Sequence, residues 1–168
     1  MIYNEKLSDN GLYLRTVLEE DCNQKYLNWL NDKKITEPLG TTHRNQTIET
    51  IKDFVNQMQQ SENDYFFAII YNNEHIGNIK LGPIDWDKKE GDISYFIGET
   101  QYWGRGLATK AVNLVTKFGF EELKLKTIKT QVFETNISSS KVLKKCGYEE
   151  SGYSKIHKDM IMYIKKAG

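Results

Sequence analysis

The sequence predicts an α+β fold with a mixed β-sheet, and three observations support this prediction. Segments with the apolar–polar alternation of strands outnumber segments with helical spacing. A strand–helix–strand unit lies in the middle of the chain, which is typical of a mixed sheet. No linker, repeat or low-complexity segment interrupts residues 1–168, so we assign them to a single domain. The predicted order is β–α–α–β–β–β–α–β–α–β–β.

The first half of the chain predicts a strand, two helices and a β-hairpin. The first strand alternates apolar and polar residues, and both helices carry an apolar stripe. Thr47 is the expected N-cap of the second helix, and Asn72, Asn73 and Glu74 form the hairpin turn. In chain order, the predicted elements cover residues 12–17, 19–32, 48–58, 65–71 and 75–85.

The second half predicts four further strands and two helices. A helix that begins at Gly106 shows a clear 3.6-residue apolar period as far as Phe118. Asn136 is the expected N-cap of the next helix, and Gly147 is expected to end it. The four strands cover residues 91–98, 126–134, 148–156 and 159–166.

The composition excludes several classes of protein. Lys+Arg and Asp+Glu both number 23, and this balance argues against a nucleic-acid binder. We expect no signal peptide, because residues 1–11 contain no apolar core, and no membrane span, because the longest apolar run, residues 65–71, is about a third of the length required. The three histidines are scattered without a metal-ligand spacing, so no metal is expected. Reduced thiols at Cys22 and Cys146 would fit a cytoplasmic protein, and we expect a monomer or a homodimer.

The glycines Gly104 and Gly106 lie where a strand leads into a helix. A helix N-terminus presents unpaired N–H groups that suit an anion, and glycine lets a bulky ligand approach the backbone. The phosphate-binding P-loop is excluded because Leu107 and Ala108 follow where Lys and Ser/Thr are required. The dinucleotide fingerprint is excluded because Thr109 replaces its third glycine.

The segment from Gln101 to Gly106 reads Gln-Tyr-Trp-Gly-Arg-Gly, which fits the Gln/Arg-x-x-Gly-x-Gly/Ala signature of the GNAT acetyltransferases. A second landmark of that family, an Asn-led helix that ends in Lys-x-Gly-aromatic, resembles residues 136–148. The order of elements resembles the family from Leu12 to Ile164. The resemblance implies a mostly antiparallel central sheet flanked by helices, and acetyl-CoA as the acetyl donor.

By this resemblance, backbone N–H groups at the glycine loop would hold the pyrophosphate of acetyl-CoA. The pantetheine arm would lie along the preceding strand edge as an added strand, and Asn136 would reach the same arm. The implied cofactor-binding residues are Phe96, Ile97, Gly98, Gln101, Trp103, Gly104, Arg105, Gly106, Leu107, Ala108, Asn136 and Ser139.

Acetyl transfer to an amine requires a neutral amine, a donor to the carbonyl oxygen and a proton for the departing thiolate. Glu134, at the end of its strand, is the first candidate for the carboxylate that accepts the amine proton, ahead of Tyr95 and Asp92. Many family members carry a tyrosine acid where this chain has Leu143. Without that tyrosine, the proton for the departing thiolate would come from another hydroxyl or from water. The candidate hydroxyls are those of Ser139, Ser140 and Tyr148. We expect direct transfer in a ternary complex.

The acceptor is expected to meet the first two helices and the two loops around residues 38–46 and 85–92. Trp29, Trp86 and Phe96 are candidates for an apolar wall. His43 and Arg44 would suit a phosphate, whereas Asp85, Asp87 and Asp92 would suit an amine. Several stretches resemble enzymes that acetylate nucleotide-linked amino sugars, and they resemble ribosomal-protein alanine acetyltransferases nearly as well. A small-molecule amine is the favoured acceptor, and the N-terminal amine of a peptide is the alternative acceptor. The alternative function is a non-catalytic CoA-binding module.

Overall fold

One sheet organises the structure, a computed structural model that describes residues 1–40 and 45–168. Within this part of the chain, eight strands pair in the order β1-β2-β3-β4-β5-β6-β8-β7. All neighbours are antiparallel except β5 and β6, which are parallel. The strands are β1 (Leu7–Asp9), β2 (Leu12–Thr16), β3 (Tyr65–Tyr71), β4 (Glu74–Asp85), β5 (Glu90–Ile97), β6 (Thr127–Phe133), β7 (Glu149–Tyr153) and β8 (Met160–Lys166).

Two helices begin at the capping side chains that the sequence predicts. The Thr47 hydroxyl accepts the Thr50 N–H, and the Asn136 side chain accepts the Ser139 N–H, so both predicted caps are confirmed. The α+β prediction is also confirmed, and the structure adds the short elements β1 and α2. The helices are α1 (Gln24–Asn31), α2 (Lys33–Thr36), α3 (Ile48–Gln60), α4 (Leu107–Glu121) and α5 (Ile137–Lys145).

Apolar clusters cover both faces of the sheet. Because successive side chains of a strand point to opposite faces, the unbroken apolar run of β3 serves both clusters. Phe67 and Ile69 pack with α4 and α5, whereas Phe66, Ala68 and Ile70 pack with α1, α2 and α3. The result is a sheet between two helical layers, which explains why this segment does not alternate.

The sheet opens between β5 and β6. The two strands pair at only three positions, the last of which joins Asp92 to Lys129. Beyond that point β5 continues to Ile97 beside β4, and β6 continues to Phe133 beside β8. The facing edges of β5 and β6 therefore separate, and a wedge-shaped opening forms within the sheet.

Candidate active site

A cavity of about 350 Å³ lies at this opening. It is lined by β5, the start of α4, one side of α5, and the segment from α2 to the following 3₁₀ turn (Glu37–Leu39). The lining is mainly apolar, as is usual for a small-molecule site. Nine residues of the predicted cofactor-binding set line it: Phe96, Ile97, Trp103, Gly104, Gly106, Leu107, Ala108, Asn136 and Ser139.

The glycine loop presents bare backbone to this cavity. Gly104 and Gly106 have φ values of +74° and +75°, a left-handed conformation that side chains disfavour. A Cβ atom at either position would meet nothing within 4 Å, so the space above both glycines is open. Gly106 provides no side-chain cap, and the first helical bond runs from the Lys110 N–H to the Gly106 carbonyl. In the described part of the chain, no acceptor meets the N–H groups of residues 104–109.

The end of β5 exposes a second set of backbone groups. The Ile97 carbonyl accepts a hydrogen bond of 2.9 Å from the indole of Trp103, so it points away from β4 and towards the opening. In a strand the N–H and the C=O of one residue point to the same side. The Ile97 N–H therefore also faces the cavity, and so do the corresponding groups of Tyr95, two residues earlier.

Two predicted catalytic side chains meet in the cavity. The Tyr95 and Ser139 hydroxyl oxygens are 2.7 Å apart, and both residues line the cavity. Burial, as the largest cause, raises the pKa of Tyr95, so its phenol stays protonated at neutral pH. This pair joins β5 to α5 across the opening and can hold or move a proton there.

The side-chain carboxamide of Asn136 forms hydrogen bonds within the protein. Its Oδ1 accepts the Ser139 N–H at 3.1 Å and the Ser138 hydroxyl at 3.0 Å. Its Nδ2 donates to the Pro38 carbonyl at 3.1 Å, which ties α5 to the turn that follows α2. Asn136 thus lines the cavity while its carboxamide is already hydrogen-bonded on both ends.

Other candidate acids and nucleophiles are buried away from the cavity. Leu143, at the position where a tyrosine is common, is fully buried, and Tyr148 instead hydrogen-bonds Thr116 at 2.8 Å. Cys146 is also buried, and burial raises the pKa of its thiol to about 11. A thiol with that pKa is a poor nucleophile at neutral pH, which argues against an acyl-cysteine intermediate.

Glu134 does not reach the cavity. Its side chain is exposed and accepts a hydrogen bond of 3.0 Å from the Tyr153 hydroxyl. Glu134 does follow the end of β6, as the sequence predicts, but its side chain lies at the surface next to β7. The geometry does not support Glu134 as the base.

Several of the predicted acceptor residues also lie outside the cavity lining. Asp85 pairs with Lys88, and Trp86 hydrogen-bonds the Glu62 carbonyl and the Asn63 side chain. Asp92 is half-buried at the last β5–β6 pair, and burial raises its pKa although Lys129 and Lys80 oppose this effect. These three side chains therefore do not join Phe96 in one wall. His43 and Arg44 lie outside the described residues.

Three further predicted residues surround the glycine loop without lining the cavity. Gln101 is exposed in the 3₁₀ turn before the loop, and Arg105 stacks its guanidinium over the ring of Tyr102 at 5.3 Å. Gly98 is buried beneath the indole of Trp29, which is itself only 4% exposed. Trp29 is therefore a packing residue and not part of an acceptor wall.

The structure adds cavity residues that sequence reasoning missed. Lys34, Lys141 and Lys145 line the cavity, whereas none of its described lining residues is an Asp or a Glu. The two lysines of α5 are four residues apart and Ser138 lies three residues before Lys141, so helical spacing was the available signal. The cavity is consequently positive in character and lacks a carboxylate base among its described residues.

Two classes of site find no support in the described residues. No three His, Cys, Asp or Glu side chains there form a group that could hold a metal ion. No helix in residues 1–40 or 45–168 is long and apolar enough to cross a membrane.

Comparison with known proteins identifies the family. A family model described as "Acetyltransferase (GNAT) domain" matches residues 11–149. The chain is 26% identical over 154 residues to "Uncharacterized N-acetyltransferase p20" of Bacillus licheniformis, an alignment that covers 88% of this chain and 84% of that protein.

Two solved structures show the same fold. The spermidine N-acetyltransferase from Vibrio cholerae, in complex with CoA and spermine, has a TM-score of 0.85 at 17% identity, covering 94% of this chain and 96% of that one. The ribosomal-protein-S5-alanine acetyltransferase from Vibrio fischeri has a TM-score of 0.82 at 21% identity and covers 97% of each chain. Because the family model spans most of the sequence, the protein belongs to the acetyltransferase (GNAT) family and is an acyltransferase enzyme.

Proposed function

We propose that this protein transfers the acetyl group of acetyl-CoA directly to the primary amine of a small molecule, most suitably a nucleotide-linked amino sugar. One observation carries the proposal. The uncapped start of α4, with left-handed Gly104 and Gly106, opens onto the cavity at the place where β5 loses its partner strand. Such a site offers amides to a diphosphate and a strand edge to an amide-bearing arm.

The residues of this site fit acetyl-CoA. The N–H groups of residues 104–109 would hold its pyrophosphate, and the open edge at Tyr95 and Ile97 would pair with its pantetheine arm. When bound, acetyl-CoA supplies an activated acetyl thioester. We assign the Ile97 N–H as the donor that stabilises the negative charge that develops on the acetyl oxygen.

The absence of a carboxylate among the described cavity residues favours an acceptor amine of low pKa. Deprotonating an amine with a pKa of about 10.4 at pH 7 costs roughly 4–5 kcal/mol, whereas an amine with a pKa near 8 costs about 1–1.5 kcal/mol. The second kind needs only water as its base. The three lysines also disfavour a polycation such as spermine and favour an acceptor that carries negative charge.

We assign protonation of the departing sulfur to the Ser139 hydroxyl, which Tyr95 holds in place at 2.7 Å. As the new C–N bond forms and the C–S bond breaks, the thiolate takes the serine proton. The serine regains a proton from the acetylated nitrogen through solvent. A thiol with a pKa of about 8.5 is a good leaving group, so a weakly acidic hydroxyl suffices.

A second acceptor class is the N-terminal amine of a peptide. An α-amine has a pKa near 8, so it meets the same requirement at a site without a carboxylate. The fold is shared with a ribosomal-protein-S5-alanine acetyltransferase, although 21% identity does not transfer its substrate. This alternative predicts acetylation of alanine-starting peptides.

The experiment measures thiol release from acetyl-CoA with a panel of amines. The panel contains a nucleotide-linked amino sugar, an alanine-starting peptide, a serine-starting peptide and spermidine. Saturable turnover with the sugar alone supports the proposal, and turnover with a peptide alone supports the alternative. CoA binding by calorimetry without turnover on any amine would instead indicate a non-catalytic CoA-binding module.

A further inference from the structure

The strand β5 ends in a β-bulge directly after Ile97. The N–H groups of Gly98 and Glu99 both donate to the Ile76 carbonyl, at 2.8 and 3.2 Å. Two residues of one strand thus oppose a single residue of the other, an arrangement that kinks a strand and redirects its neighbours. Ile97 is the last regular pair of β5 and faces the cavity, and the bulge that directly follows it anchors this end of the strand to β4.

One side chain from α1 contacts both bulge residues. The indole of Trp29 lies directly on the backbone of Gly98, because a Cβ atom at that position would collide with the ring. The indole N–H donates to Glu99 Oε1 at 3.0 Å. Trp29 is 4% exposed and does not line the cavity, so any effect it has on the reaction passes through its neighbours, which are the Gly98–Glu99 backbone and the ring of Phe96, packed edge-on at 6.1 Å.

A charged group extends the same contact towards the glycine loop. Lys25 Nζ lies 3.5 Å from Glu99 Oε1 and 2.6 Å from Glu74 Oε1. The Tyr102 hydroxyl donates to Glu74 Oε2 at 2.7 Å. These side chains are partly exposed, so water and salt weaken their attraction, and the buried indole contact is the more specific constraint.

We propose that Trp29 is a positioning residue for acetyl transfer: it holds the Gly98–Glu99 bulge so that the Ile97 N–H points at the acetyl oxygen. The inference rests on the proposed function. A Cβ atom at Gly104 or Gly106, where the phosphates would bind, would meet no atom of Trp29 within 4 Å. A disturbed bulge therefore lowers turnover more than it lowers affinity for CoA.

The test compares Trp29→Phe with Val55→Ala. The first removes the indole N–H and keeps an aromatic ring, and the second removes buried volume from the same apolar cluster, on α3. We expect both variants to unfold at lower urea concentration. Only Trp29→Phe should lower kcat, about tenfold with the fastest amine of the panel, while the Kd for CoA by calorimetry changes less than threefold.

A second pair of variants tests the hydrogen bond alone. Glu99→Gln keeps an oxygen that accepts the indole N–H, so kcat should stay within threefold of wild type. Glu99→Leu removes the acceptor and should reproduce the loss seen with Trp29→Phe; if the latter unfolds, this pair carries the test by itself.

Two results would overturn the inference alone: equal kcat in Trp29→Phe and Val55→Ala, or a loss of CoA affinity as large as the loss of kcat. A wild-type protein that neither binds CoA nor releases thiol would overturn the proposed function as well.

Discussion

Two helices start at the same cavity, and their N-termini are built in opposite ways. At α5 the Asn136 side chain accepts the Ser139 N–H and the Ser138 hydroxyl, so a side chain of the protein occupies one N–H of the first turn. At α4 the residue before the helix is Gly106, which has no side chain to accept a hydrogen bond. The first turn of α4 is left open.

The difference separates a structural helix start from a ligand-binding one. Every α-helix leaves its first N–H groups without a helical partner. A capping side chain uses some of these groups internally, whereas a glycine start leaves them for an anion from outside. We therefore expect α4 to supply amides to acetyl-CoA and α5 to supply the Ser139 hydroxyl.

The largest effect is expected from closing the open start. Gly104→Val places a branched side chain into the space above the loop, so acetyl-CoA affinity should fall at least tenfold by calorimetry. The left-handed φ of +74° also strains this variant by about 1–2 kcal/mol, measured as a loss of unfolding free energy in urea.

Gly152→Val is the matched control for that strain. Gly152 has a φ of +90° and open space around it, but it lies in β7, outside the cavity lining. The control should lose similar stability and bind acetyl-CoA normally. Unchanged affinity in Gly104→Val would contradict the assignment of the glycine loop.

The next largest effect is expected from removing the Ser139 hydroxyl at the start of α5. Ser139→Ala removes the hydroxyl paired with Tyr95, and we expect kcat to fall about tenfold with little change in the Kd for CoA. This loss is below the usual effect of a general acid because the leaving thiol is itself acidic.

Thr116→Val provides the comparison, since it breaks the Thr116–Tyr148 hydroxyl pair of 2.8 Å, which lies outside the cavity lining. That variant should lose stability and keep its kcat. Equal turnover in Ser139→Ala and wild type would remove Ser139 from the mechanism and leave the proton to water.

A smaller effect is expected from removing the Asn136 side chain that caps α5. Asn136→Ala removes a cap, which costs about 1 kcal/mol of unfolding free energy. Asn136→Asp keeps an accepting oxygen and should recover most of that stability. Because both ends of the Asn136 carboxamide are occupied, CoA affinity should change less than threefold in either variant. A tenfold loss of affinity would show that Asn136 contacts the cofactor.

The smallest effect is expected from Glu134→Gln. Its carboxylate is exposed and bonded to Tyr153, away from both helix starts. Stability should change by less than about 0.5 kcal/mol, and kcat should match wild type from pH 6 to pH 9. A pH-dependent loss of turnover would restore this residue as the base.

Local patterns predicted most of the fold. Apolar periodicity located the long elements, and the capping residues Thr47 and Asn136 marked where helices begin, because caps act within three residues. The elements missed, β1 and α2, are three and four residues long, too short for a periodic signal.

The acceptor side was less predictable. Trp86 and Asp85 have residue types that suit a binding wall, but their direction depends on the β4–β5 turn and its contacts with residues 62 and 63. Likewise, the four-residue spacing of Lys141 and Lys145 was visible, yet which side of α5 meets the opening depends on the whole sheet.

The sequence by itself determined the glycine loop, its place before α4 and the helix start at Asn136, because each depends on neighbours a few residues away. Only the tertiary structure decided that β5 and β6 separate beyond Asp92, that Tyr95 meets Ser139 and that Glu134 faces outward. These facts join residues that lie tens of positions apart. Their arrangement follows from strand pairing and from the packing of two apolar clusters, which no local pattern encodes.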